Sequence, residues 1–365
     1  MKLQKEDIVE DIEKNRRRKS INRRRIRKYR RDRDGIMATG FMEIGSFLED
    51  EILSVTELGE GHINDTFLVE TSNGKYVAQR LSKNMDKHKI EYNYNLYSEV
   101  FERSGWLYPQ MIKDKNGRYF CVDASGDNWR MYKYLDGTVL DAAYIVSLED
   151  TQAKEIIRAY GKGLAKLHGI LRSIQNKPKT VCPNLHDLKK HYEEYLQIKS
   201  SGGLKKLSRD YELEKQLENL VEYHIKQSGE SISSAENGTI YSIIHGDPKI
   251  SNVLFKDSEV AGFLDMDTIM WGSLLDDIAD AIRSCCIIDG RVSTSLKKSF
   301  IEGYKSEAPE DVVDIIDSNL HGAFAKICVE LALRYYMDEI SGAGYFKEKY
   351  PGYRIKRTRE LLELL

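Results

Sequence analysis

Two apolar runs between Ile243 and Thr268 each carry acidic or amide side chains at set distances. The first reads I-I-H-G-D-P-K-I-S-N-V-L-F and the second F-L-D-M-D-T. Asp247 is followed five positions later by Asn252, and Asp265 comes thirteen positions after that. Moving a phosphoryl group requires such a set. One carboxylate accepts the attacking hydroxyl's proton, while an amide and a second carboxylate hold Mg²⁺ against nucleotide phosphates. A polar turn built on His245-Gly246-Asp247-Pro248 would use the same local residues, but it would require neither Asn252 nor Asp265.

The flanking patterns say how these side chains are brought together. Ile240 to Ile244 reads as a buried strand delivering His245-Gly246-Asp247. Val253–Phe255 and Val260–Leu264 predict a short hairpin that returns Asp265 towards Asp247. A helix from Ser273 to about Cys286 presents Asp277, Asp280 and Arg283 at helical spacing. Upstream, Ile52–Leu58, Thr66–Glu70 and Tyr76–Leu81 predict an antiparallel meander, with Asn73-Gly74 as a hairpin signal. Between its first two strands lies Gly59-Glu60-Gly61-His62-Ile63-Asn64-Asp65. Glycines there let backbone amides approach phosphate oxygens, although a plain hairpin explains them equally well.

Kinases place a phosphate-binding cation on the third strand in V-A-I-K. The letters here are Val77-Ala78-Gln79-Arg80, so Arg80 is the candidate, with solvent exposure at a sheet edge as the alternative. A helix over 86–103 buries Ile90, Tyr94, Tyr97 and Phe101, and its Glu91 and Glu99 are the candidate partners of Arg80. Pro109–Lys113, Arg118–Val122 and Trp129–Leu135 predict further strands. In a bilobal kinase the segment leaving that sheet supplies backbone groups to adenine, here Met131, Tyr132 and Tyr134. Helices are predicted over 149–171, 186–199, 209–227, 322–340 and 354–365. His168, His186, His191 and His224 have no metal-ligand spacing and read as surface or capping histidines.

Composition bounds the rest. The chain has 365 residues, 41% of them hydrophobic, enough for about two lobes. No apolar run approaches the roughly 18 to 20 residues of a membrane span, and no secretory signal is visible. Five cysteines without a C-x-x-C predict reduced thiols in a cytoplasm. Residues 1–40 hold 15 Lys or Arg against seven Asp or Glu. That arm reads as a solvated tail or an upstream extension ahead of Met37 or Met42, with an anionic partner as the alternative. Binding of nucleic acid as the main function is disfavoured by the intact Asp247, Asn252 and Asp265. The oligomeric state stays open between monomer and weak dimer.

The same Asp-to-Asn step occurs in the protein-kinase signature H-R-D-L-x-x-x-N followed by D-F-G. Over roughly residues 50–365 the chain resembles the aminoglycoside-phosphotransferase/choline-kinase superfamily, small-molecule relatives of protein kinases. Several stretches look like its N-acetylhexosamine 1-kinase group: G-E-G-H-I-N-D-T from Gly59, W-R-M-Y from Trp129, L-H-D from Leu185 and L-D-M-D-T-I-M from Leu264. D-I-A-D-A-I-R from Asp277, and L-R-Y from Leu333 leading into Tyr345-Phe346-Lys347, add to these. The resemblance implies an α+β, bilobal protein-kinase-like fold with a small antiparallel β N-lobe and a larger, mostly helical C-lobe. The expected division is a basic extension over 1–44, the N-lobe over 45–135 and the C-lobe over 136–365.

It further implies ATP and Mg²⁺ as cofactors and transfer to the anomeric hydroxyl of a GlcNAc- or GalNAc-like sugar. By position, Asp247 is the base, Lys249 neutralises the γ-phosphoryl group, and Asn252 and Asp265 hold the metal. Gly59, Gly61 and His62 cover the phosphates, and Arg80 replaces the usual lysine. Asp277 binds the backbone of the catalytic loop, while Asp267, Arg283 and Arg334 are the sugar-side candidates. Arg334 has a competing reading as an ion-pair partner of Glu330, four residues back. Pro248, Trp271 and Asp276 depart from the group's pattern and flank the acceptor side. Choline, a fructosamine or an aminoglycoside are the alternative acceptors.

Overall fold

A computed structural model describes residues 44–58, 64–83, 85–201, 210–229 and 240–365. The basic arm and Gly59, Gly61 and His62 therefore lie outside the described residues. The N-terminal half opens with β1 (Ile52–Glu57), β2 (Asp65–Thr71) and β3 (Lys75–Arg80) as an antiparallel meander. Helix α1 (Lys87–Ser104) follows, capped by the Asp86 carboxylate on the amides of His88 and Lys89 and ended by Gly105 at φ +72. Strands β4 (Met111–Ile112), β5 (Cys121–Val122) and β6 (Asn128–Lys133) complete the sheet in the order β1-β2-β3-β6-β4, with β5 also on β6.

Successive strand residues face opposite sides, and this parity sorts the side chains of β3 and β6. Ala78, Trp129 and Met131 pack with Ile44, Phe47, Leu48 and Val69 on the outer face. Val77 and Tyr132 face the other way and join the main core. The inner face is thus the one turned to the second lobe.

That lobe is mostly helical: β7 (Thr138–Val139), α2 (Ala142–Val146), α3 (Asp150–Arg172), α4 (Leu188–Ser200) and α5 (Tyr211–Gly229) come first. Strand β8 (Tyr241–Ile244) leads into β9 (Val253–Lys256), β10 (Glu259–Phe263) and β11 (Met270–Ser273). Then come α6 (Leu274–Cys285), the β12 (Ile287–Ile288) and β13 (Arg291–Val292) hairpin, α7 (Thr294–Lys305), α8 (Glu310–Ser341) and α9 (Tyr353–Leu362). The chain is thus an α+β, bilobal kinase-like fold, as expected. Helix α8 starts at Glu310 and not at Gly322, because Val312, Ile316 and Leu320 already supply a buried stripe at four-residue spacing. Strands of two residues, such as β12 and β13, are too short to show an alternation.

Helices α3 and α7 cross almost backbone to backbone. A Cβ on Gly161 would lie 2.0 Å from the Phe300 carbonyl oxygen, and one on Gly303 would lie 2.0 Å from that of Arg158. Gly303→Ala is expected to destabilise the protein by about 1–3 kcal/mol, the usual range for overpacking. The measurement is the urea midpoint; an unchanged midpoint would mean the two helices part freely.

Candidate active site

The loop after β8 is held from several directions. Asp277 on α6, wholly buried, accepts the amides of His245 at 2.8 Å and Gly246 at 2.9 Å. His168 on α3 lies 3.0 Å from the same carboxylate through Nε2, and 2.6 Å from the Tyr304 hydroxyl through Nδ1. A carboxylate only accepts, so Nε2 carries the proton there and Nδ1 takes the Tyr304 hydrogen. Burial pushes the Asp277 carboxyl up, but the hydrogen bonds from His168 and the Gly246 amide outweigh it and hold it below the usual range.

Gly246 sits at φ +82, and a Cβ there would meet the Thr268 carbonyl at 2.5 Å. Thr268 Oγ1 donates to the His245 carbonyl at 2.8 Å, Tyr160 donates to the Pro248 carbonyl, and the Ile250 amide donates to Ser284 at 2.9 Å. His186 Nε2 reaches the Gly246 carbonyl at 2.9 Å. His168 and His186 are therefore supports of this loop, not surface or capping groups. Their role could not be read from sequence, because it rests on contacts across 109 and 60 residues.

Asp247 emerges from this frame partly exposed. Lys249 pairs with its Oδ2, and Asn252 Nδ2 donates to its carbonyl at 2.8 Å and to Oδ2 at 3.2 Å. Burial works against the Lys249 ammonium, yet Asp247, Asp265 and Asp280 together keep its pKa above that of a free lysine. The β9–β10 hairpin returns the chain, the Leu264 amide donating to the Asn252 carbonyl at 2.8 Å. Asp265 follows in the left-handed region at φ 60, a conformation Asp tolerates better than most residues.

Asp265 is exposed to the cleft, although protein surrounds it on most sides. Desolvation lifts its carboxyl to about 6, with the like charges of Asp267 and Asp247 adding to the rise and Lys249 and Arg130 opposing it. Because the side chain still meets solvent, the like charges are the firmer part of that rise. A negatively crowded, accessible carboxylate suits a cation. Asn252 uses its Nδ2 on Asp247, which leaves Oδ1 for a ligand, so the donor set here is oxygen, as Mg²⁺ prefers. Among the described residues no group of three His, Cys, Asp or Glu forms a separate metal cluster.

Three expected contacts are placed differently. Arg80 lies on the outer face with Ala78. It binds Asp65 at 2.6 and 3.0 Å and lies over Trp129, pairing with neither Glu91 nor Glu99. Parity along β3 turns Val77 and Gln79, not Arg80, to the cleft. Asp267, 6% exposed, is gripped by Arg130 at 2.5 and 2.7 Å and so is not open to a sugar. Arg283 holds Asp280 through two bonds of 2.7 and 2.9 Å. Met131 and Tyr132 lie inside the β3–β6–β4 ladder, and the Tyr134 amide donates to the Lys75 carbonyl at 3.2 Å. The Tyr134 amide is thus used within the lobe.

Arg334 forms no ion pair with Glu330. Its Nη2 is 3.3 Å from the Tyr345 hydroxyl, and its guanidinium lies 5.5 and 5.7 Å from the Tyr345 and Phe346 ring centres. Glu330 instead accepts the His186 amide at 3.0 Å. Asp276 pairs with Lys326 at 2.6 Å.

A loop that presents one carboxylate beside a lysine and an amide, opposite a second carboxylate in the same cleft, has the parts for phosphoryl transfer. A model of the phosphotransferase enzyme family, APH, matches residues 54–310. The chain belongs to this family. It is therefore a phosphotransferase. The chain is 23% identical over 284 residues to a homoserine kinase of Rhodopseudomonas palustris, covering 74% of this chain and 77% of that one. It is also 22% identical over 241 residues to a probable acyl-CoA dehydrogenase, IBR3, of Arabidopsis thaliana. That match covers 62% of this chain and spans about a quarter, 27%, of the relative's length.

Among solved structures the phosphotransferase superposes on the amicoumacin kinase hAmiN in complex with AMP-PNP, Ca²⁺ and Ami, with a TM-score of 0.62. The identity is 11%, over 92% of this chain and 94% of that one. The GDP and kanamycin complex of an APH(2") enzyme gives 0.61 at 13% identity, over 90% and 98%. Choline kinase LicA from Streptococcus pneumoniae gives 0.58 at 15%, over 90% and 98%. At such identities the likeness is one of fold. Among the described residues no helix is long and apolar enough to cross a membrane.

Proposed function

We propose that this phosphotransferase is an ATP-dependent kinase of a small hydroxyl acceptor, most simply the anomeric 1-hydroxyl of an N-acetylhexosamine. The observation that carries the chemistry is Asp247, held by Lys249 and Asn252 with its carboxylate partly exposed in the cleft. Asp247 takes the hydroxyl proton as the acceptor oxygen attacks the γ-phosphorus and the ADP oxygen leaves. Lys249 balances charge on the transferring group. Asn252 and Asp265 are the residues that would hold Mg²⁺, which supplies neutralisation of the nucleotide phosphates. The reaction demands alignment more than strong base catalysis, since an anomeric hydroxyl is more acidic than an ordinary alcohol.

On the acceptor side Arg334 bears on the choice of substrate. Its contacts are aromatic and hydroxyl groups, and no carboxylate lies within ion-pair distance among the described residues. An uncompensated guanidinium repels a polycation, which favours a neutral sugar over an aminoglycoside or choline. The test is ADP release with GlcNAc, GalNAc, homoserine, choline, a fructosamine and kanamycin as acceptors. Turnover is expected on a hexosamine. Strong activity on kanamycin or choline with none on either hexosamine would overturn the acceptor assignment while leaving the chemistry in place.

A further inference from the structure

Val77 and Gln79 are the cleft-facing residues in the middle of β3. Lys75, of the same parity, is exposed at the start of the strand and pairs with Glu70 at 3.0 Å, so β3 brings no cation to the Asp265 turn. The cation comes from the neighbouring strand. Arg130 on β6, the cross-strand partner of Gln79, is 1% exposed. Its Nη1 and Nη2 donate to the two carboxylate oxygens of Asp267 at 2.7 and 2.5 Å. Its Nε and Nη2 also donate to Gln79 Oε1 at 3.0 and 2.8 Å, and its guanidinium lies 5.0 Å from the Tyr132 ring centre. The pair joins the sheet to the short helical turn Met266–Thr268, which begins just after Asp265 and whose Thr268 grips His245.

We propose that Arg130 is a positioning residue for nucleotide binding: through Asp267 it fixes the Asp265 turn to the N-lobe, replacing a lysine–glutamate pair between β3 and α1. This rests on the reading of Asp265 as a nucleotide-side residue. Stability alone is a weak reason for the pair, since two buried charges lose their hydration and apolar side chains of the same volume commonly serve as well. The bidentate fork gives orientation that an apolar contact does not. Helix α1 offers no carboxylate here: its stripe brings the Tyr97 ring towards Arg130 and Asp267. The charged fastening between the lobes therefore sits at the Asp265 turn, while α1 joins the second lobe through neutral bonds between Asn93 and the Lys179 backbone at 2.8 and 2.7 Å. Nucleotide affinity then depends on Arg130, whereas acceptor affinity does not.

The full chain with Arg130→Lys, and separately the double variant Arg130→Met with Asp267→Asn, tests this by calorimetry with ATP and Mg²⁺ and by thermal unfolding. Arg130→Lys keeps a charge but loses the fork. Its ATP Kd is expected to rise about tenfold, the loss of one charge-assisted bond, with the acceptor KM within about twofold of wild type. The double variant removes both charges, so its unfolding temperature should return towards wild type while the weakened ATP Kd remains. Wild-type ATP affinity in Arg130→Lys, or equal losses for ATP and acceptor, would overturn the proposal. If the double variant fails to fold, the lysine variant decides alone. The ATP Kd by calorimetry needs no acceptor, so a wrong acceptor leaves that comparison decisive and affects only the KM. Wild-type protein that binds no nucleotide would instead count against the kinase reading.

Discussion

Asp247→Asn is expected to lower turnover by about 10²- to 10⁴-fold, the usual contribution of a positioned general base, while leaving the protein folded. The asparagine keeps the shape of the side chain and one oxygen for the Asn252 amide. It loses the proton acceptor and the charge that holds Lys249. Stability should change little, because Asp247 is partly exposed and its ion pair with Lys249 is screened by solvent. If the acceptor is an anomeric hydroxyl, the loss should fall at the lower end of the range, since less help is needed to remove the proton. If it is an ordinary alcohol, the loss should fall at the upper end. The check is kcat by ADP release together with the urea midpoint. A variant with an unchanged midpoint and near wild-type kcat would end the assignment of Asp247 as base.

The fold and the catalytic loop were legible because their signals are local. Asp247, Asn252 and Asp265 lie within 19 positions of one another, and the hairpin that unites them is marked by two short apolar runs, V-L-F and V-A-G-F-L, with polar residues between them. The helix stripe Ile90, Tyr94, Tyr97 and Phe101 was equally direct and is buried as expected. What sequence could not give was side-chain partnership across long separations. Arg80 and Gln79 are adjacent letters, and only the packing of Trp129 and Met131 on the outer face decides which of them meets the cleft. Arg130 and Asp267 lie 137 positions apart. A buried arginine in a strand is itself a signal, because so costly a charge needs a partner; what the sequence lacked was any mark of burial at Arg130. Asp267 was read as a sugar contact for the same reason: an aspartate beside a metal ligand has open and paired forms that look identical in sequence.

The second large effect concerns stability and the loop together. Asp277→Ala would leave the buried amides of His245 and Gly246 and the His168 ring without their acceptor. The expected cost is about 3–5 kcal/mol, the range for removing one member of a buried charged network. Asp277→Asn should cost less, because one oxygen can still serve an amide, though it cannot also satisfy His168. The sign of the pH dependence follows from the depressed carboxyl of the native state. Asp277 contributes its stabilisation above the unfolded pKa of about 4, and this is lost as pH falls through the lower folded value. Wild type and Asp277→Ala should therefore differ most in urea midpoint near neutrality and converge in acid. In the fraction still folded, kcat should fall as well, since the freed amides no longer fix the backbone that carries Asp247. A midpoint within about 1 kcal/mol of wild type, or a stability gap that persists unchanged into strong acid, would show that the loop is held by His186, Thr268 and Tyr160 instead. In that case the three hydrogen bonds at Asp277 would be ones the protein can replace with water, and the rigidity of the catalytic loop would have to come from β8, β11 and the Gly246 turn.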